Sequence, residues 1–67
     1  MSLLRYKIDI SNLSPEEREK IYEYIGRFSW LEPEITQDLK WCYFYLNESI
    51  NPQTLNLPDS YYLRRVP

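Results

Sequence analysis

The chain has 67 residues, ten acidic and eight basic side chains, and no histidine. A net charge of −2 neither points to nucleic acid nor excludes it, and 43% hydrophobic with 27% charged residues is the composition of a folded chain rather than a disordered one. The missing histidine removes the commonest general base and metal ligand, and a chain this short buries only roughly 60% of its unfolded surface.

Residues 3–10 alternate from Leu4 onward, with Leu4, Tyr6, Ile8 and Ile10 on one face and Arg5, Lys7 and Asp9 on the other. This predicts a half-buried first strand. In Ser14-Pro15-Glu16-Glu17, Ser14 can cap the Glu17 amide, Pro15 suits the first helical position, and Glu17 can reach back. A helix over about 15–25 follows, with Ile21 and Ile25 in its buried stripe and with Phe28 or Tyr22 completing it. Gly26, the sole glycine, is expected to end it in a left-handed conformation.

Phe28, Trp30 and Glu32 then alternate with Arg27, Ser29 and Leu31, which predicts a short second strand stopped by Pro33. Residues 39–46 are dense in aromatic side chains and give the strongest strand signal in the chain. Asn51 can cap one or two helical turns that Pro58 ends, and residues 61–66 read as a last strand.

The fold class expected from this order is α+β: a single domain, 1–67, with a small antiparallel sheet and one main helix on one face. The order resembles the ferredoxin-like β-α-β-β-(short α)-β plan with its second helix reduced, which implies that the first and third strands sit side by side at the centre. A β-α-β-β unit with an irregular C-terminal tail is the alternative.

Both faces of strand 39–46 are apolar: Cys42, Phe44 and Leu46 point one way, and Leu39, Trp41, Tyr43 and Tyr45 the other. One helix covers one face only. If it covers the first set, the second lies open near Arg5 and Lys7, and an open aromatic face of that size usually marks an interface. The competing expectation is that segment 47–60 covers the second face through Ile50, Leu55 and Leu57.

Catalysis is not expected. Cys42 lies among bulky aromatics with no cationic activator, Glu32, Glu34 and Asp38 lack the spacing of a calcium loop, and one glycine cannot build a phosphate cradle. No cofactor or metal is implied. The N-terminal residues run into charges rather than an apolar core, no stretch is long enough to span a bilayer, and the single cysteine suits a reducing compartment. The expected location is cytoplasmic, without membrane association.

The function expected is that of a non-enzymatic accessory or inhibitor-type protein, of the kind encoded by some viruses and mobile elements. It would bind another protein, or a second copy of itself as a homodimer, through Trp41, Tyr43, Tyr45, Arg5, Lys7 and Arg64. The alternative is a module for single-stranded RNA or DNA, with bases stacked on Tyr and Trp and phosphates met by Arg and Lys. For that use the stretch Lys40-Trp41-Cys42-Tyr43-Phe44-Tyr45 resembles the third strand of an RNA-recognition motif, although that family's glycines are absent from it.

Overall fold

The computed structural model describes residues 2–67. Strand β1 (Leu3–Asp9) leads to helix α1 (Pro15–Phe28), a two-residue strand β2 (Glu34–Ile35) and strand β3 (Trp41–Asn47). Two 3-10 turns, Pro52–Leu55 and Asp59–Tyr61, precede strand β4 (Arg64–Val66). The four strands form one sheet in the order β2-β3-β1-β4, and every neighbouring pair is antiparallel. The chain is thus a small α+β unit, and β1 and β3 lie together at the centre, the placement that the resemblance implies.

Seven residue pairs join the two central strands, from Leu3↔Asn47 to Asp9↔Trp41. Directly opposed residues share a face, so Leu4, Tyr6 and Ile8 meet Leu46, Phe44 and Cys42 on one side. Ile21 and Ile25 of α1 pack on that side. Ile8, Ile10, Ile25, Cys42, Phe44, Leu46 and Leu55 are wholly buried, and the Tyr6 and Phe44 rings stack 5.9 Å apart.

Helix α1 starts as the sequence indicates. The Ser14 hydroxyl accepts from the Glu17 amide at 3.2 Å, and the Glu17 carboxylate accepts from the Ser14 amide at 2.9 Å. The Ser14 amide, and after it the Ser14 hydroxyl, hold the Glu17 carboxyl below its ordinary range.

The helix end differs from expectation. It runs to Phe28 and closes at Ser29, whose extended backbone donates its amide to the Ile25 carbonyl. Gly26 stays helical with an ordinary φ, so it is not a left-handed cap. Tyr24 and Phe28, one turn apart, make an edge-on ring contact at 5.2 Å that favours continuing the helix past the glycine.

The second strand moves accordingly. Phe28 is helical, and β2 forms after the buried Pro33, not before it. Strand β3 begins at Trp41 because Leu39 takes φ 57° to close the preceding turn. Strand β4 begins at Arg64 because Tyr61 ends a 3-10 turn and Tyr62 takes φ 50°.

Asn51 caps its turn as anticipated, accepting from the Gln53 amide at 3.0 Å. Leu55 then enters the core, and the Tyr24 hydroxyl donates to its carbonyl at 2.6 Å. Ile50, Leu57 and Tyr61 pack against the same core. Segment 47–60 therefore closes the helix side of the sheet, contrary to the expectation that it covers the second face, and the chain after β3 is not an irregular tail because it returns to pair with β1. Among the described residues no helix is long and apolar enough to cross a membrane.

A β-carbon placed on Gly26 would meet nothing closer than the Pro33 Cδ at 4.0 Å. Gly26→Ala is therefore expected to stabilise the fold by about 0.5–1 kcal/mol, because it removes the helix penalty of glycine without a clash. Thermal unfolding should show a melting point several degrees higher; a lower one would mean that Gly26 serves as the cap the sequence suggested.

Candidate functional site

The face of the sheet turned away from α1 is built by the same alternation that builds the core. In β3, Trp41, Tyr43 and Tyr45 are half-buried while Cys42, Phe44 and Leu46 are buried. Their partners in β1 are Asp9, Lys7 and Arg5 respectively. At the sheet edges Glu34 of β2 stands opposite Tyr43, and Arg64 of β4 stands opposite Lys7. One row across the sheet therefore reads Glu34, Tyr43, Lys7, Arg64.

The cations lie over the rings. The Arg5 guanidinium is 4.3 Å from the centre of the Tyr43 ring and 5.9 Å from that of Tyr45. The Lys7 ammonium is 4.3 Å from the Trp41 ring, which Lys40 also approaches at 5.5 Å. Arg5 is opposed to Tyr45 and Lys7 to Tyr43, yet each settles closer to the next ring along β3, toward Trp41. Long side chains reach such diagonal neighbours readily across an antiparallel pair. Each contact contributes on the order of 0.5–1 kcal/mol at such a surface, enough to bias a side chain but not to hold a fold.

Of the six residues singled out from the sequence, five form one contact cluster: Arg5, Lys7, Trp41, Tyr43 and Tyr45. Arg64 shares their face but sits one strand further out, where its guanidinium is 5.9 Å from the Tyr62 ring and donates to the Leu63 carbonyl. Two participants were not among the six. The predicted strand 39–46 includes Lys40 and its alternation puts Lys40 on the Cys42 face, but β3 starts only at Trp41 and Lys40 reaches the Trp41 ring from the preceding turn. Tyr62 was assigned to the last strand, and only its left-handed backbone brings it beside Arg64.

Past Tyr45 the surface continues. The Tyr45 amide donates to the Ser29 hydroxyl at 3.2 Å and its carbonyl accepts from the Trp30 amide at 2.8 Å. Trp30 and Leu31 are 62% and 50% exposed, the first of these values being the largest for any bulky apolar side chain described.

The acidic groups near this face are occupied locally. Asp9 accepts from the Ser11 hydroxyl at 2.6 Å and the Ser11 amide at 2.8 Å, and these bonds hold its carboxyl below the usual value. Asp38 accepts from the Thr36 hydroxyl and the Lys40 amide and is lowered for the same kind of reason. Glu32 accepts from the Tyr22 hydroxyl at 2.6 Å, which raises the phenol. Asp9 and Asp38 shape turns, Glu32 ties its loop to α1, and among the described residues no three His, Cys, Asp or Glu side chains gather as a metal site.

No protein-family model, no curated protein and no solved structure matches this chain.

Cys42 has no exposed surface, and burial pushes its thiol from 9.0 up to about 11. It should fail to react with a disulfide reagent in the native protein at pH 8 and react fully once denatured. The unfolded thiol loses its proton near pH 9 while the folded one keeps it to about 11. Its contribution to stability is therefore intact below pH 9 and is lost as pH rises across that interval. Urea titrations across that range measure the loss, and a Cys42→Ser variant serves as the reference.

Proposed function

We propose that this chain is a non-enzymatic binding protein that docks on another protein through the sheet face of Trp41, Tyr43, Tyr45, Arg5, Lys7 and Arg64, as an accessory or inhibitor-type component. The observation that carries this reading is the row of cation-covered rings on the face that α1 leaves open. Tyrosine, tryptophan and arginine are the side chains that dominate interface energetics, and lysine is usually depleted there. The packing of Arg5 and Lys7 on rings lowers the entropy they would lose on binding. A cytoplasmic setting belongs to the reading, supported by a lone free cysteine.

The topology is read with it as a ferredoxin-like plan in which the two 3-10 turns stand where a second helix would run. The strand order and the antiparallel pairing of every neighbour support that assignment.

A single-stranded nucleic acid is the second reading, favoured by rings spaced two apart along a central strand with cations beside them. Against it stands the Arg5 guanidinium, which occupies a face of Tyr43 on which a base would stack.

Two measurements separate these readings. A photo-crosslinking phenylalanine analogue at position 45 should capture a protein in cells that make this chain, and the same analogue at Glu19 on the helix should not; the reverse pattern would place the interface on the helix. Once the partner is in hand, Trp41→Ala should weaken binding by about 2 kcal/mol or more, roughly thirtyfold, while circular dichroism reports an intact fold. Labelled oligouridylate and oligothymidylate should give no saturable binding at low salt. A saturable signal that fades steeply with added salt would transfer the face to nucleic acid.

A further inference from the structure

We propose that the occupant of this face is an extended acidic segment of the partner, with Asp or Glu at alternate positions meeting Arg5 and Lys7 and with Arg64 and Lys40 flanking it. This rests on the reading of the face as a protein-binding surface and names the chemistry of what binds there.

Charge is the first argument. Arg5, Lys7 and Arg64 project from one face and Lys40 joins them at Trp41. Asp9, on the same face opposite Trp41, and Asp38 each accept two bonds through Oδ1 alone, from Ser11 and from Thr36 and the Lys40 amide, so they offset part of this charge but are outnumbered by the four cations. Glu34 is on the face as well, but at the β2 edge, with Tyr43 between it and Lys7. The basic groups are thus held by rings. Arg5 carries the clearest mark of this, because its Nε is buried without a hydrogen-bond partner. Nε itself is out of a ligand's reach, so an arriving carboxylate would meet the terminal guanidinium nitrogens.

Spacing is the second argument. Arg5 and Lys7 are two residues apart on one strand, about 6.6–6.8 Å along it, and alternate side chains of any extended peptide repeat at that same interval. A segment lying along β1 would present the carboxylate of every second residue to these cations in turn.

Size is the third argument. A seven-residue strand is about 23 Å long and four strands span about 14 Å between the outer two, so the face measures a few hundred Å². That is well short of the roughly 800 Å² per partner of a standard domain interface. It suits a short segment better than a second folded domain.

The test uses the intact chain, isotope-labelled, titrated with a capped peptide of alternating Glu and Ser and followed by amide NMR shifts. Saturable shifts are expected at residues 5, 7, 43 and 64, with none along α1. Arg64→Glu and Lys40→Glu should each weaken binding about tenfold, and Arg65→Glu should not, since Arg65 pairs with Tyr6 on the helix side of the sheet. All three mutated sites are exposed, and unchanged melting curves confirm folding. The proposal is overturned by an absence of saturable shifts, by equal shifts from an alternating Lys and Ser peptide, or by shifts confined to α1. A protein crosslinked from position 45 whose contact surface is not acidic overturns this proposal and leaves the binding face standing, whereas failure of that crosslink removes the face itself.

Discussion

The register of β1 against β3 is the constraint on which the rest of the molecule depends. Side chains alternate with a period of two, so one pairing sends Tyr6, Ile8, Cys42, Phe44 and Leu46 to the helix side and leaves Arg5, Lys7, Trp41, Tyr43 and Tyr45 opposite. A slip of one residue in both strands would seat three large rings and two cations under α1. Burying unpaired cations there is costly, and the wholly buried positions of Phe44 and Leu46 would pass to solvent. The core and the candidate site are therefore two outcomes of one pairing.

What lies on the second face follows from the size of the chain. With a single α-helix, only one side of a four-stranded sheet can be roofed, and the C-terminal turns add to that roof. Leu55 seals the core and its carbonyl receives the Tyr24 hydroxyl, so the segment after β3 does for the helix side what a longer second helix would do. Two residues outside glycine adopt left-handed backbone to achieve this, Asn56 at φ 54° and Tyr62 at φ 50°. Asparagine tolerates that region; tyrosine is disfavoured there, by about 1–2 kcal/mol. In return the chain turns sharply enough for Arg64 to reach register with Lys7.

The exposed rings are protected meanwhile by the cations. Arg5 and Lys7 lay their aliphatic stems and charged heads across apolar surface that would otherwise face water, which explains why Trp41, Tyr43 and Tyr45 are half-buried with no element above them. The same arrangement displays positive charge on a desolvated floor, in a molecule whose net charge is negative.

Much of this was legible in the residues themselves. The alternation from Leu4 to Ile10 defined β1, Ser14-Pro15-Glu16-Glu17 defined the start of α1, Asn51 defined a capped turn, and five of the six candidate site residues do cluster. These signals are local, carried by side chains that bond to backbone within a few residues or by a period that needs no partner. The end of α1, the place of β2 and the face that the helix covers were decided by tertiary contacts instead. Gly26 stays helical beside the Tyr24–Phe28 ring contact, and β2 forms where residues 34–35 find the edge of β3. In β3 both faces are apolar, so its pattern holds no preference between them. The choice went to the face whose Cys42, Phe44 and Leu46 fit beneath Ile21, Ile25 and Leu55, because close packing of that set excludes water and the bulkier rings could instead be covered by Arg5 and Lys7.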